Sequence, residues 1–258
     1  MNTDSLVVAQ QRHQKILHLA TQQEVVRIRE LSQNLGVSDM TIRRDLNLLS
    51  EQGLLERTHG GARLHAHSQT EVALSQRLST QTEAKERLAR AALGLISDGD
   101  TIALDSSTTS LHLAHLLQGR NVHCLVTGLD AANTLSQFSV PFTLVGGTFH
   151  ATARSFISGL FQDIQARLHP DQVFFSCLGY SSNTGFTDAY LPEVSSKERL
   201  LATGKRVIAL IDSSKFGRQA MATITRMGSV HTLITDQMPP HDVLVDLDTH
   251  QTRLIIAP

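Results

Sequence analysis

The stretch "GVSDMTIRRDLNLLSEQG", Gly36 to Gly53, places two arginines side by side in a helical run with an aspartate beside them. On a helix each residue turns about 100° from the last, so Ile42, Leu46 and Leu49 form one apolar stripe. Met40, Arg43, Arg44 and Asn47 then fall on the opposite face. Arginine matches guanine edges, asparagine matches adenine edges, and methionine can touch a thymine methyl. That outward inventory points to the major groove of double-stranded DNA.

The flanking sequence fits this reading. Residues 6–20 have helical spacing, with Leu6, Ile16, Leu17, Leu19 and Ala20 among polar neighbours. "EVVRIRELSQNLGVS" reads as a short extended piece at Val25–Val26 and a helix from Ile28 to Asn34, ended by Gly36. Ser38 is a good N-cap for the next helix. "LLERTHGGARL" then reads as a hairpin turning at Thr58–His59–Gly60–Gly61. Two helices around a short glycine turn, followed by a hairpin, make a winged helix-turn-helix. His59 at the wing tip is a further DNA candidate.

Composition sets bounds. The chain has 258 residues, 41% of them hydrophobic, and a formal net charge of −1. It can bury a sizeable core, and its length suits one small and one medium domain. Residues 1–63 hold eight Lys and Arg against seven Asp and Glu, so any basic patch arises from placement. No apolar run of about 18 residues is present, so no membrane span is expected. The N-terminus lacks the pattern of a secretory signal, and a cytoplasmic location is expected. Cys124 and Cys177 each sit in an apolar segment and read as buried, reduced thiols. The histidine pairs His65/His67 and His112/His115 have no carboxylate or cysteine cluster beside them, so neither a metal nor a cofactor is expected.

Beyond a polar linker at 64–70, a second domain is expected over 71–258, with Val72, Leu74 and Leu78 near its start. Apolar runs at 101–104, 122–126, 142–145, 173–178, 206–211 and 232–235 alternate with helical stretches at 83–96, 109–117, 129–137 and 193–203. The closing "TRLIIAP" reads as one more strand. Continuous apolar strands between helices mean a mostly parallel sheet covered on both faces, an α/β domain. Ligands of such sheets bind outside the carboxyl ends of the strands.

The residues after each run are therefore the candidates. "DSSTTS", Asp105 to Ser110, follows the first run and opens a helix, where free N–H groups and hydroxyls favour a phosphate. An elaborate helix N-cap explains the same residues equally well. Thr127–Gly128 and Gly146–Gly147 follow the next two runs. "DSSKFG", Asp212 to Gly217, follows a later one and brings Lys215, a suitable point charge for a phosphate. Glu193 and Lys197 stand at i, i+4, the spacing of a surface ion pair. That reading is favoured for Glu193, whereas Lys197 is assigned to the site. Together these loops suggest a small, phosphorylated, polyhydroxylated ligand.

"SDMTIRRDLNLLSEQG…RTHGGA", "DSSTT", "LVGG" and "DSSKFG", in this order, resemble the DeoR family of bacterial transcription regulators. The resemblance runs from about residue 10 to 236. It implies a winged helix-turn-helix and a sensor domain similar to sugar-phosphate isomerases. It also implies a repressor of a sugar catabolic operon, relieved by a phosphorylated sugar. Carried over by position, Ser38, Thr41, Arg43 and Arg44 belong to the recognition helix. The implied effector pocket takes Asp105, Ser106, Ser107, Thr108 and Thr109 from the first loop. Thr127, Gly146, Gly147, Lys197, Asp212 and Lys215 complete it. The chain departs from the family at three places. Ser107 stands where glycine is common, Gly128 where asparagine is common, and Pro192 where an acidic residue is common.

A homo-oligomer, dimer or tetramer, is expected, because one winged helix reads few base pairs and linked copies gain effective concentration. Asp45 is expected to aim an arginine rather than touch DNA. The alternative function is a sugar-phosphate isomerase with an added DNA-binding module, in which Glu193 or Asp105 is a general base and Lys215 or Lys197 an oxyanion partner. Fold analogy alone does not grant catalysis, and the chain is expected not to be an enzyme.

Overall fold

A computed structural model describes residues 12–13, 15–17, 19–20, 23, 25–51, 55–64, 77, 79–151, 153–157 and 167–258. It divides into two compact units, Met1–Thr80 and Gln81–Pro258. Apart from Leu64, the expected linker lies outside the described residues, as do Val72, Leu74, Leu78 and the pair His65/His67. Among the described residues no helix is long and apolar enough to cross a membrane, and no group of three or more His, Cys, Asp or Glu is placed to hold a metal ion.

The first unit contains β1 (Val26–Arg27), α1 (Ile28–Leu35), α2 (Asp39–Glu51), β2 (Leu55–Thr58) and β3 (Gly61–Leu64). The described residues between 12 and 20 are helical as well. α1 stops at Gly36, whose φ of 65° is left-handed and whose N–H bonds to the Ser32 carbonyl. Glycine takes that conformation without the steric cost of a Cβ. Ser38 then caps α2, its Oγ accepting the Thr41 N–H at 3.2 Å. Ile42, Leu46 and Leu49 turn inward and pack with Ile16, Val26, Ile28, Leu31 and Leu55. The hairpin β2–β3 turns at Gly60, with φ of 85°, and β1 adds to its other side, giving the order β1-β3-β2.

The second unit begins with α3 (Thr82–Leu93), β4 (Thr101–Leu104), α4 (Thr108–His115), β5 (His123–Val126), α5 (Leu129–Gln137) and β6 (Phe142–Leu144). A short pair, β7 (Thr148–His150) and β8 (Ser155–Ile157), follows. Then come β9 (Gln172–Phe175), β10 (Gly179–Ser181), β11 (Gly185–Asp188), α6 (Leu191–Thr203), β12 (Arg206–Leu210) and β13 (Ala222–Thr225). β14 (Thr232–Thr235), α7 (His241–Thr249) and β15 (Arg253–Ile256) close the chain. Seven strands form one parallel sheet in the order β15-β14-β12-β9-β4-β5-β6. Successive residues serve opposite faces. Ile102, Leu104, Phe174 and Ile208 pack under α3, α4 and α5, while Ala103, Phe175, Val207 and Ala209 pack under α6 and α7. Burial on both faces is why these strands read as continuous apolar runs. Burial also pushes the Cys124 thiol up to about 12 and the Cys177 thiol up to about 11, which keeps both unreactive.

The chain steps from β4 outward to β6, returns beside β4 as β9, and then steps the other way to β15. The reversal lies between β4 and β9, and a crevice at such a switch point is where ligands of this architecture sit. Three details differ from the sequence reading. The run 173–178 leaves the sheet at Phe175, because the Ser176 N–H turns to the Asp105 carboxylate. The small sheet β10-β11-β13 and the pair β7–β8 were not expected, since segments of three or four residues carry too few positions to show a period. α7 was not expected either.

Gly61 has no room for a side chain: a Cβ there would lie 2.1 Å from the Val26 carbonyl oxygen across β1. Gly61→Ala should therefore open the β1–β3 pairing and destabilise the first unit by about 1–3 kcal/mol, the usual cost of overpacking. A urea titration that leaves the first unit's midpoint unchanged would contradict the placement of β1.

Candidate functional site

The outer face of α2 carries Met40, Arg43, Arg44 and Asn47, all exposed, with Met40 at 61%. Leu48 joins them, an exposed apolar residue that sequence reasoning did not single out. Ser38 and Thr41 share a hydroxyl contact of 2.9 Å at the helix start, so both fix its first turn. His59 is exposed at the wing turn. Asp45 behaves differently. It is buried, and its carboxylate accepts the Arg12 Nε at 2.6 Å and a second Arg12 nitrogen at 3.0 Å, with the His13 Nε2 at 2.9 Å. The arginine it aims is thus Arg12, from the preceding helical segment, and neither Arg43 nor Arg44. Burial opposes the charge on Asp45, but the bonds from Arg12 and His13 outweigh it and hold the carboxyl below the usual carboxylate range.

In the second unit the carboxyl ends of β4, β9 and β12 meet around Asp105, which is only 1% exposed. One Asp105 oxygen accepts the Ser107 N–H at 3.1 Å, the Ser107 hydroxyl at 2.6 Å and the Ser110 hydroxyl at 2.5 Å. The other accepts the Ser176 N–H at 3.1 Å and lies 3.2 Å from the Lys197 ammonium. Lys197 is buried and also donates to the Ser176 carbonyl at 3.0 Å and to Asp188 at 2.8 Å. Burial alone would lower the Lys197 pKa. The charges of Asp188, Asp105 and Glu193 reverse this and hold it above the ordinary lysine value.

Lys215 reaches the same place from the β12 end. Its ammonium donates to the Ser176 hydroxyl at 2.8 Å and lies 3.4 Å from Asp212. Asp212 caps the short turn Ser213–Lys215 by accepting the Ser214 N–H at 3.2 Å and the Ser214 hydroxyl. Glu193 is buried rather than a surface partner of Lys197, and accepts the Ser106 hydroxyl at 2.6 Å. The surface-pair reading of Glu193 is thereby corrected.

At the start of α4, Ser107 is the N-cap and accepts the Ser110 N–H at 3.1 Å. The cap reading of "DSSTTS" is thus realised. The Thr108 and Thr109 N–H groups have no intrahelical acceptor at a helix start. The buried Thr109 hydroxyl has no hydrogen-bond partner among the described residues. Thr127 is buried at the end of β5, and Gly128 follows it so closely that a Cβ there would stand 3.1 Å from the Ser106 Cα. The bulkier asparagine common at this position would not fit without a shift. Gly146 and Gly147 follow β6, two strands from β4, roughly 10 Å away by strand spacing. A Cβ on Gly146 would make only ordinary contacts, the nearest at 3.8 Å from Phe156.

Sequence reasoning missed Ser176, Asp188 and Asp236. Asp236 accepts the Ser213 N–H at 2.6 Å and ties the β14 end to the same edge. The signal for Ser176 was available: it is the lone hydroxyl in "VFFSCL", directly after a strand.

Two family models match the chain: the DeoR-like helix-turn-helix domain over residues 12–68 and the DeoR C-terminal sensor domain over residues 80–237. The chain belongs to the DeoR family. It is a DNA-binding transcriptional regulator. The glycerol-3-phosphate regulon repressor of Escherichia coli strain K12 is 35% identical over 246 residues, covering 95% of this chain and 97% of that protein. The L-fucose operon activator of Haemophilus influenzae is 30% identical over 246 residues, covering 95% and 99%. Among solved structures, ribose 5-phosphate isomerase from Methanocaldococcus jannaschii is similar with a TM-score of 0.41, at 15% identity, over 53% of this chain and 55% of that one.

Within this DeoR-family chain the Asp45 clasp gives a direct stability test. Asp45→Asn removes the charge that answers a half-buried Arg12, which should cost about 1–3 kcal/mol. Because the folded carboxyl is held low, its contribution is complete above the unfolded value, about pH 4 for aspartate, and is lost only as pH falls through the lower folded value. Denaturant titrations of parent and variant should differ throughout the neutral range and converge below about pH 4. A gap that closes between pH 6 and 8 would contradict the assignment.

Proposed function

We propose that this regulator represses an operon for sugar or polyol catabolism and is released from its operator by a phosphorylated sugar or polyol. The observation that carries the reading is the chemistry gathered at the β4/β9 switch point. A helix start, whose Thr109 hydroxyl has no partner among the described residues, is tied through Asp105 and Ser176 to Lys215 and through Ser106 to Glu193. The helix start and Lys215 suit a phosphate. Asp105 and Asp188 are committed to the Lys197 clamp, while Asp212 and Glu193 stand at the loops of the site and suit the hydroxyl donors of a polyol. The likeness to a glycerol-3-phosphate regulon repressor supports the same ligand class.

The ligand-binding atoms assigned here are Ser106–Thr109, Thr127, Asp212 and Lys215, with Gly146 and Gly147 on the outer side. Lys197 acts beneath them as a clamp. It donates to Ser176 and Asp188 and pairs with the Asp105 charge, so its ammonium is committed to the protein. That commitment favours a sensor over an isomerase. DNA is read by Arg43, Arg44, Asn47 and Met40, with Ser38 and Thr41 setting the helix start and His59 at the wing. A homo-oligomer presents two such helices to a symmetric operator.

Two outcomes follow. Arg43→Ala or Arg44→Ala should weaken operator binding by about 1–3 kcal/mol where the side chain is bidentate to guanine. Parent-like binding by both variants in a gel-shift titration would remove the recognition-helix assignment. Glycerol 3-phosphate, fructose 6-phosphate and ribose 5-phosphate should be tested as releasing ligands. A typical coupling weakens operator binding about 5–150-fold. Thr109→Ala and Lys215→Ala should bind operator like the parent and need far more ligand to leave it. Release at the parent's ligand concentration would move the phosphate elsewhere.

A further inference from the structure

The segment Arg154–Phe156 straps the end of β5. The Leu129 N–H donates to the Arg154 carbonyl at 2.8 Å, the Phe156 N–H donates to the Thr127 carbonyl at 2.8 Å, and Ser155 forms an antiparallel bridge with Gly128. Arg154 holds a left-handed φ of 50°, and its guanidinium grips Asp130 in the first turn of α5 at 2.7 Å. On its other side β8 packs against α6, the helix that carries Glu193 and Lys197. The paired strand adds a second tie, since His150 stacks on Tyr190, the N-cap of α6, with ring centroids 4.2 Å apart.

Ser155 therefore lies between the β5 end and α6, across Gly128 from Ser106. Its side chain is 1% exposed, and its hydroxyl has no hydrogen-bond partner among the described residues. Buried hydroxyls are ordinarily paired, and an orphaned one calls for a specific explanation. Alanine at this position would keep every backbone bond of the strap. The hydroxyl thus has no role in the bonds of the strap, and the Ser155 backbone is bridged to Gly128, next to the site residue Thr127.

We propose that Ser155 is a ligand-contact residue of the sensor, its hydroxyl hydrogen-bonding an oxygen of the phosphorylated sugar or polyol. This rests on the assignment of the switch-point crevice as the effector site. It extends that site to a wall that the strand-end rule did not reach, because Ser155 follows no strand of the main sheet. It also links ligand binding to the strap, and through the strap to the starts of α5 and α6.

The test uses full-length parent and Ser155→Ala, with Ser155→Cys as a second variant of similar size and weak donor strength. Melting temperature is measured with and without glycerol 3-phosphate, fructose 6-phosphate and ribose 5-phosphate. A hydroxyl that is idle in the ligand-free protein predicts an unchanged or higher melting temperature without ligand and unchanged operator affinity. It also predicts at least a tenfold rise in the concentration of the responding ligand needed for half-maximal shift. A fall of several degrees in both variants without ligand would show a structural hydroxyl and overturn the proposal. So would a parent-like ligand response. A parent that responds to none of the three compounds would overturn the effector-site assignment first, and this inference with it.

Discussion

The Asp105 carboxylate is the constraint on which the sensor unit depends. A carboxylate this deeply buried is tolerated only when its lone pairs are filled and its charge is answered. Ser107, Ser110, Ser176 and Lys197 do both, and they come from α4, the β9 end and α6. The bonds that neutralise Asp105 therefore also set the distance between the elements that line the crevice. Lys215 is drawn into the same set through the Ser176 hydroxyl. The bonds that hold this part of the fold are thus made by the same residues that the strand-end rule selects.

The first unit uses a buried carboxylate for a different end. Asp45 lies on the recognition helix, where a free negative charge would repel DNA phosphates. Turning it inward onto Arg12 and His13 takes it off the exposed face of α2 and locks the helix to the segment before it. A nearly neutral unit can then show a positive edge, since Arg43 and Arg44 are exposed while this acid is hidden. Net charge says little about DNA binding in such a case.

Much of this was legible in sequence, for definite reasons. The stripe Ile42, Leu46, Leu49 has helical period, and Gly36 and Ser38 punctuate it, so α2 and its outer face could be read directly. The parallel sheet announced itself through continuous apolar runs, because each strand is buried on two faces. The strand-end rule also selected Asp105, Asp212 and Lys215, which the fold brings together around Ser176. What stayed hidden has no local signature. Glu193 reads as a surface residue at i, i+4 to Lys197, and only the packing of α6 on the sheet turns it toward Ser106. Asp188 and Ser155 belong to strands of three or four residues, too short to show a period. The partner of Asp45 is 33 residues away, a distance that spacing rules do not reach.

The central claim is that one ligand, held at the β4/β9 switch point, sets the affinity of α2 for DNA. Linkage makes the claim reciprocal: the factor by which ligand weakens operator binding must equal the factor by which operator weakens ligand binding. The direct test titrates operator into the full-length protein with and without saturating releasing ligand, then titrates ligand with and without saturating operator. Two equal factors between about 5 and 150 are expected. Ligand binding of unchanged affinity on the operator complex would contradict it.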